Sequence, residues 1–227
     1  PGDLSEAHVR VDAKGELVTP SGFLGTAEEH GLHGEIDLWV VRHAIAVLGE
    51  RERAGRQTRM LVRISPASFA NPTMAELIQR ELSAQGVPGE RLWLEAPEAK
   101  VFTHLRNAQQ FLAAVAPMGC RFGLEQFGSG LDSFQLLAHL KPSFFKIDPG
   151  LTDEMGKPGD AQDKVREITS RARQEGITTL AEDVEDAQAM SQLFSAGVDY
   201  VSGAFVAPVG AAMGFDMQAA RQHDLAQ

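Results

Sequence analysis

The sequence is poor in cysteine, in basic residues and in long hydrophobic runs. Its single cysteine, Cys120, cannot form a disulfide within the chain, which favours a reducing compartment, and its apolar neighbours predict a buried thiol. The 21 Lys and Arg residues are outnumbered by 31 Asp and Glu residues, and the formal net charge of -10 argues against non-specific nucleic-acid binding, which requires a basic face. No apolar run is long enough to insert into a membrane, and the N-terminus is no signal peptide.

Hydrophobic residues make up 43% of the 227 positions, enough for a substantial core. Strand-like and helix-like segments alternate six or seven times along the chain without a linker-like interruption. This alternation predicts one α/β domain with a mostly parallel sheet. It favours a closed (β/α) barrel and leaves an open sheet as the alternative.

The local patterns predict the bounds of individual elements. Ser21 is the expected N-cap of the first helix, Asn71-Pro72 begins a later one, and Pro97 begins the next. The predicted strands span residues 6–11, 59–64, 91–95, 120–124, 144–147, 177–181 and 199–203. The predicted helices span about 21–30, 36–50, 72–85, 97–115, 134–140, 161–174 and 213–224, and a further helix before the last strand carries Met190, Leu193 and Phe194.

Polar side chains are expected where these strands end. The carboxyl ends of parallel strands meet at one edge of an α/β fold, which is where such folds build their sites. One charged residue after a strand is more typical of a helix N-terminus than of a ligand site, but a whole series is not. The series consists of Arg10, Arg63 with Ser65, Glu95, Glu125 with Gln126, Lys146 with Asp148, Glu182 with Asp183, and Ser202.

Several of these strand ends carry longer motifs that resemble one known family. The chain is similar to the EAL domain family, which hydrolyses cyclic di-GMP on a (β/α)8 barrel of the TIM type. The family's Asp-Asp-Phe-Gly-Thr-Gly, Lys-Ile-Asp, Ala-Glu-Gly-Val-Glu, Asp-Tyr-Val-Gln-Gly and Glu-Ala-Leu-Leu-Arg match residues 125–130, 146–148, 181–185, 199–203 and 6–10. The resemblance implies one EAL-type barrel domain over residues 1–227, expected to be the C-terminal part of a longer multidomain bacterial protein in the cytoplasm.

The departures from the family pattern concern its two metal ions. Glu95, Lys146 and Glu182 match conserved family residues, but Arg63 replaces an asparagine ligand, Glu125-Gln126 replaces the aspartate pair that bridges the metals, and Ser202 replaces a glutamine. Hard divalent cations need anionic oxygens, and a guanidinium in a small site repels them. We therefore expect no bound metal, no catalytic residue and no hydrolysis.

The resemblance still implies a pocket for cyclic di-GMP. Arginine and lysine suit the phosphates, polar side chains suit the guanine edges, and an exposed aromatic ring suits a guanine face. For Phe205, plain core packing remains the alternative. The expected ligand-binding residues are Arg10, Arg63, Ser65, Glu95, Gln126, Lys146, Glu182, Asp183, Phe205 and Pro208.

Three functions follow from this resemblance. The first is a receptor that binds cyclic di-GMP without cleaving it and relays binding to a PilZ-domain partner, as in FimX-type regulators of type IV pili and twitching motility. The second is an active metal-dependent phosphodiesterase with unusual ligands. The third is a protein-interaction module that no longer needs the nucleotide. The sequence leaves a homodimer open in each case.

Overall fold

The structure is a computed structural model that describes residues 4–130, 132–155 and 160–206. The chain divides into two compact units, Pro1–Phe144 and Phe145–Gln227, each of which is described by itself. The helix predicted over residues 213–224 and the candidate ligand residue Pro208 lie outside the described residues. A single domain over residues 1–227 stays a prediction. None of the helices in the described ranges combines the length and the apolar character needed to cross a membrane.

The first unit is built on four parallel strands: β1 (Leu4–Glu6), β4 (Arg59–Arg63), β5 (Leu92–Pro97) and β6 (Arg121–Phe127). They pair in the order β1-β4-β5-β6. The register sets Arg63 opposite Glu95, and Glu95 opposite Gly123. Parallel pairing with helical crossovers confirms the α/β class, and every residue of β5 is buried because strands flank it on both sides.

A small hairpin replaces the single strand predicted over residues 6–11. β1 ends at Glu6, and the chain then forms β2 (Val11–Ala13) and β3 (Glu16–Val18), which pair antiparallel. Lys14 and Gly15 make the two-residue turn with φ angles of 60° and 93°, and the Gly15 N–H donates to the Asp12 carboxylate. Both turn residues are left-handed, as a type I′ hairpin turn requires. The prediction was wrong because short strands of mixed polarity carry little periodic signal.

The helices of the first unit follow the strands in sequence. They are α1 (Pro20–Glu29), α2 (His33–Arg53), α3 (Pro66–Phe69), α4 (Pro72–Gln85), α5 (Glu98–Thr103) and α6 (Leu105–Val115). The prediction for α4 is confirmed, since the Asn71 side chain caps it by accepting from the Thr73 N–H. Two predictions were wrong. α1 starts one residue before Ser21, and the helix expected over 97–115 is broken at His104, whose φ and ψ of -122° and 32° interrupt the helical turn.

The core of the first unit centres on the indole of Trp93. Trp93 is fully buried and stacks on Phe144 with 5.0 Å between ring centroids. Gly123 makes room for this pair, since a Cβ there would come within 2.3 Å of the Phe144 ring. Cys120, three residues before Gly123, is also buried. Burial raises the pKa of its thiol to about 12. The prediction of a buried cysteine is therefore confirmed.

The second unit continues the alternation of strand and helix. β7 (Phe144–Ile147) leads into it, followed by α7 (Pro149–Thr152), α8 (Ala161–Glu175), β8 (Thr178–Ala181), α9 (Ala187–Ser195) and β9 (Tyr200–Val201). β8 and β9 pair parallel, with Leu180 opposite Tyr200. Asp199 ties the amino ends of these two strands together by accepting from the Thr179 N–H and hydroxyl at 2.8 and 2.9 Å. The residues predicted for a site follow the opposite, carboxyl ends of β8 and β9.

Candidate functional site

An ion pair joins the carboxyl ends of β4 and β6. Nε of Arg63 lies 2.7 Å from Oε1 of Glu125, and the arginine side chain is 53% exposed while the glutamate is 5% exposed. In the parallel register, Arg63, Glu95 and Glu125 lie on one face of the sheet, so the guanidinium reaches across β5. Glu95 is itself fully buried on that strand. The cation thus offsets the cost of burying carboxylates at this edge.

Gln126 has an unusual backbone conformation at the end of β6. Its φ angle is 54°, in the left-handed region that residues other than glycine rarely adopt, and its side chain is exposed. Within the described residues, its amide group makes no hydrogen bond. Strained backbone of this kind costs free energy and is often found at functional sites. The sequence placed Gln126 after the strand, whereas β6 continues through it to Phe127.

The glycine-rich turn after β6 is held by the buried carboxylate of Glu98. Glu98, on α5, accepts a hydrogen bond from the Gly128 N–H at 3.0 Å, and the Ser133 hydroxyl accepts from the same N–H at 3.2 Å. A Cβ on Gly130 would come within 2.6 Å of Glu98 Oε1. A side chain at position 130 would therefore have to displace this carboxylate, which also accepts from the Gly128 N–H. Ser133 begins a 3-10 helix that runs to Ala138, where an α-helix was predicted.

Ser65 has a different contact from the one that the sequence suggests. Its N–H and its hydroxyl both donate to Oδ2 of Asp37, at 2.7 and 2.6 Å, and the Ser68 hydroxyl donates to the same oxygen at 2.6 Å. Asp37 lies on α2 and is only 8% exposed. The hydroxyl proton of Ser65 is thus committed to the protein. A ligand contact through Ser65 stays a prediction.

A second ion pair holds the carboxyl ends of β7 and β8 in the second unit. Nζ of Lys146 lies 2.9 Å from Oε2 of Glu182; the lysine side chain is 2% exposed and the glutamate is 24% exposed. Because the ammonium group is buried, it needs the carboxylate to offset its desolvation. The structure brings these two predicted site residues together. Glu182 is the more accessible member of the pair, since little of the lysine's own surface is exposed.

The segment after Glu182 interlocks with the segment after β9. Asp183 is left-handed, with a φ angle of 59°, and its exposed carboxylate makes no hydrogen bond within the described residues. Val184 donates its N–H to Ser202 O at 2.9 Å, and Phe205 donates its N–H to Val184 O at 3.1 Å. A Cβ on Gly203 would lie 2.2 Å from Val184 N, so this close approach requires glycine.

Phe205 presents its ring to solvent from this segment. Its exposed fraction is 49%. Such exposure excludes plain core packing, the alternative that the sequence left open, and leaves an aromatic face available for stacking. Arg10 is half-buried between β1 and β2, where its Nη1 donates to Val9 O at 2.9 Å. Its role as a phosphate ligand stays a prediction.

No group of three or more His, Cys, Asp or Glu side chains is arranged to hold a metal ion within residues 4–130, 132–155 and 160–206. Of the carboxylates matched to the family's metal site, Glu125 contacts a guanidinium and Glu182 contacts an ammonium. Each of these negative charges is therefore already offset by a cation of the protein.

Sequence reasoning missed two residues that organise the strand ends, Asp37 and Glu98. Both are buried acids within helices, and each binds backbone more than 25 positions away, with sequence separations of 28 and 30 residues. One signal in the sequence could have identified Asp37. It lies on the apolar face of α2 with Val41, Ile45 and Leu48, and an acidic side chain on such a face needs a hydrogen-bond partner in the protein interior.

Comparisons with known proteins agree with this geometry. The model of the EAL domain family matches residues 5–209. The FimX EAL domain of Xanthomonas citri, solved in complex with c-di-GMP, is 59% identical with a TM-score of 0.92, covering 95% of this chain and 85% of that chain. The FimX EAL domain of Pseudomonas aeruginosa, bound to c-di-GMP, is 29% identical with a TM-score of 0.86, covering 93% and 85%. These matches confirm the predicted EAL-type barrel.

Curated relatives are more distant and longer. The cyclic di-GMP phosphodiesterase PdeF of Escherichia coli (strain K12) is 27% identical over 188 residues, which are 83% of this chain and 25% of PdeF. The chain thus spans about a quarter of the length of the first curated relatives that it matches.

Proposed function

The chain belongs to the EAL domain family, and on that premise we propose that it is a receptor for cyclic di-GMP that has lost the family's phosphodiesterase activity. One observation carries the proposal: Arg63, which replaces an asparagine ligand of the family, is paired with Glu125, which replaces an aspartate of the pair that bridges the metals. The two halves of the proposal, loss of metal and retention of nucleotide, rest on different residues.

The residues present do not fit two divalent ions. Such ions need several anionic oxygens in near-octahedral array. At the end of β4 and β6, the Arg63 guanidinium lies at the distance of a hydrogen bond from Glu125, and the next residue, Gln126, offers only a neutral amide. Seating a cation there requires displacement of the arginine from a buried carboxylate. No hydrolytic step is therefore assigned to this chain.

The same residues suit an anionic nucleotide. More than half of the Arg63 side chain is exposed, so its remaining N–H groups are available to a phosphate while Nε faces Glu125. Gln126 and Asp183 present polar groups that hydrogen-bond to nothing else in the described ranges, which suits the edge of a base. The exposed ring of Phe205 suits a guanine face. Two of the FimX EAL domain structures to which the chain is similar were solved with c-di-GMP.

The receptor is further proposed to relay nucleotide binding to a protein partner. The pattern of lost ligands resembles that of FimX-type regulators, so the partner proposed is a PilZ-domain protein and the output is control of type IV pili. This part of the proposal rests on resemblance, and it predicts that a PilZ partner binds more tightly when the nucleotide is present.

A titration with product analysis tests the receptor function. The chain is titrated with cyclic di-GMP by calorimetry, with and without Mg²⁺ or Mn²⁺, and each sample is then analysed for linear pGpG. The expected result is binding in the micromolar range or tighter, unchanged by metal and without product. Absence of binding at tens of micromolar ligand overturns the proposal and favours a nucleotide-independent interaction module, which is then tested by partner binding with and without nucleotide.

Active phosphodiesterase is the second candidate, favoured by the name of the relative PdeF. It requires that metal displaces Arg63 and Lys146 from their carboxylates. This candidate is supported if the chain forms pGpG only in the presence of metal and if the Glu182→Ala variant forms none.

A further inference from the structure

A single buried oxygen, Oδ2 of Asp37, holds the turn that follows Arg63. It accepts three hydrogen bonds, from the Ser65 N–H, the Ser65 hydroxyl and the Ser68 hydroxyl, all at 2.6 to 2.7 Å. Asp37 has no ion-pair partner among the described residues. Three donors on one buried carboxylate oxygen form a strong, charge-assisted set, because the negative charge has little other solvation.

The Ser65 side chain contacts Asp37 and lacks the local contact that a serine at this position usually makes. Ser65 is the N-cap residue of α3, a position where serine ordinarily accepts a hydrogen bond from the helix N-terminus. Here the Ser65 side chain makes no capping hydrogen bond, and its hydroxyl donates to Asp37 on α2. The Ser65 side chain therefore connects the turn to α2 and does not cap α3.

This turn begins two residues after Arg63, the last residue of β4. The Ile64 N–H donates to Glu95 O at 2.9 Å and holds the backbone to β5. Asp37 then holds the next residue, Ser65. The backbone is thus held at the two residues that directly follow Arg63, which limits where its long side chain can place a guanidinium relative to Glu125.

We propose that Asp37 is a positioning residue of the candidate site: it holds the turn after β4 through Ser65 and Ser68, and it thereby keeps the Arg63 guanidinium at Glu125 and directed to the ligand. The effect on ligand affinity rests on the proposed function, whereas the effect on Arg63 does not. Asp37 does not touch the ligand and acts only through the turn.

The test compares two aspartates with similar hydrogen bonds. Asp37→Asn keeps the size of the side chain but removes the charge that holds three donors. Asp199→Asn is the matched control, because Asp199 likewise accepts from the N–H and hydroxyl of one residue, Thr179, but at the amino ends of β8 and β9. We expect Asp37→Asn to raise the Kd for cyclic di-GMP about tenfold, as loss of an outer hydrogen-bond partner does at other sites, and Asp199→Asn to leave it unchanged. If Asp37→Asn does not fold, Ser68→Ala removes one donor alone and is expected to give a smaller increase in Kd.

A double-mutant cycle separates positioning from a general structural role. If Asp37 acts through Arg63, Asp37→Asn adds little to the loss of affinity in an Arg63→Ala background. An equal loss of affinity in both backgrounds overturns the proposal, as does an unchanged Kd in Asp37→Asn.

A measurement without nucleotide keeps the two proposals distinguishable. The Nε–Hε resonance of Arg63 in the whole chain reports its contact with Glu125. We expect Asp37→Asn to shift this resonance in the direction that Glu125→Gln does, and Asp199→Asn to leave it in place. If the wild-type chain binds no cyclic di-GMP but Asp37→Asn still shifts the resonance, the receptor function fails and the positioning role stands. If the resonance does not move, the positioning role fails.

Discussion

Nζ of Lys146 lies 2.9 Å from Oε2 of Glu182, and the two side chains differ greatly in exposure, at 2% for the lysine and 24% for the glutamate. The partners of this ion pair are therefore not equivalent. Removal of the glutamate takes a carboxylate away from a buried ammonium group, whereas removal of the lysine charge leaves a carboxylate that water can reach.

We expect Glu182→Ala to lower the free energy of unfolding by about 3 kcal/mol, because a buried ammonium group then loses a carboxylate that offsets its desolvation. Lys146→Met, which removes the charge and keeps the volume, is expected to cost less. Urea unfolding of both variants measures the difference. A larger loss in Lys146→Met contradicts this account of the pair.

Phe205 is expected to contribute to ligand affinity and little to stability, because its ring is half exposed. Stacking on a base contributes about 1–3 kcal/mol, so Phe205→Ala should raise the Kd for cyclic di-GMP about tenfold or more. Phe194, on α9 and 48% exposed, is the matched control. Calorimetric titration should show unchanged affinity in Phe194→Ala, and an equal loss in both variants excludes a stacking role.

Restoring the family ligands should restore metal binding. In the variant Arg63→Asn, Glu125→Asp, Gln126→Asp, the guanidinium is removed and two short carboxylates return to the end of β6. We expect this variant to bind Mn²⁺ by calorimetry and to produce detectable pGpG, since the cation that opposes the metal is gone. Arg63→Lys, which retains the positive charge, is the control and should bind no metal. Absence of metal binding in the triple variant shows that Arg63 and the altered pair are not the cause of the loss.

The stability of glycine-to-alanine variants should depend on whether the added Cβ meets backbone atoms or open space. Gly203 has a φ angle of 146°, and a Cβ there meets the Val184 backbone, which cannot move aside as a side chain tip can. Gly203→Ala is therefore expected to destabilise the chain by more than 1 kcal/mol and to weaken nucleotide binding through the Phe205 segment. Gly25 lies within α1 with no atom near its Cβ position, so Gly25→Ala should stabilise by about 0.5–1 kcal/mol. Thermal unfolding of the two variants, which should move in opposite directions, provides the check.

Cys120 should be unreactive in the folded protein, because burial raises the pKa of its thiol from 9.0 to about 12. Reaction with a disulfide reagent at pH 8 is expected to be slow until denaturant is added. Between pH 9 and 12 the unfolded chain loses this proton and the folded chain keeps it, so the thiol's contribution to stability is complete below pH 9 and falls as the pH rises above it. Cys120→Ala should lack this part of the alkaline loss, and fast labelling of the native protein contradicts the buried state.

Most of the fold could be predicted because its signals are local. The alternation of strands and helices, the cap at Asn71 and the buried β5 all depend on neighbouring residues. The errors also have local causes. The hairpin of β2 and β3 is too short and too polar to show periodicity, and the break at His104 separates two helices whose apolar positions happen to stay in phase.

The sequence by itself determined which chemical groups stand at the strand ends. An arginine replaces a neutral ligand, a glutamine replaces a carboxylate, and the net charge of the pocket changes accordingly, since side-chain charge is a property of composition. Family membership followed from the same residues, because the motifs are contiguous in the chain.

Only the tertiary structure decided how those groups are paired. The contact of Arg63 with Glu125, the left-handed backbone at Gln126 and Asp183, and the hold of Asp37 on Ser65 join residues far apart in sequence or depend on backbone angles that composition does not specify. The physical reason is that an ion pair or a buried hydrogen bond forms only when strand register and helix packing bring both partners within about 3 Å. That proximity is set by the whole fold.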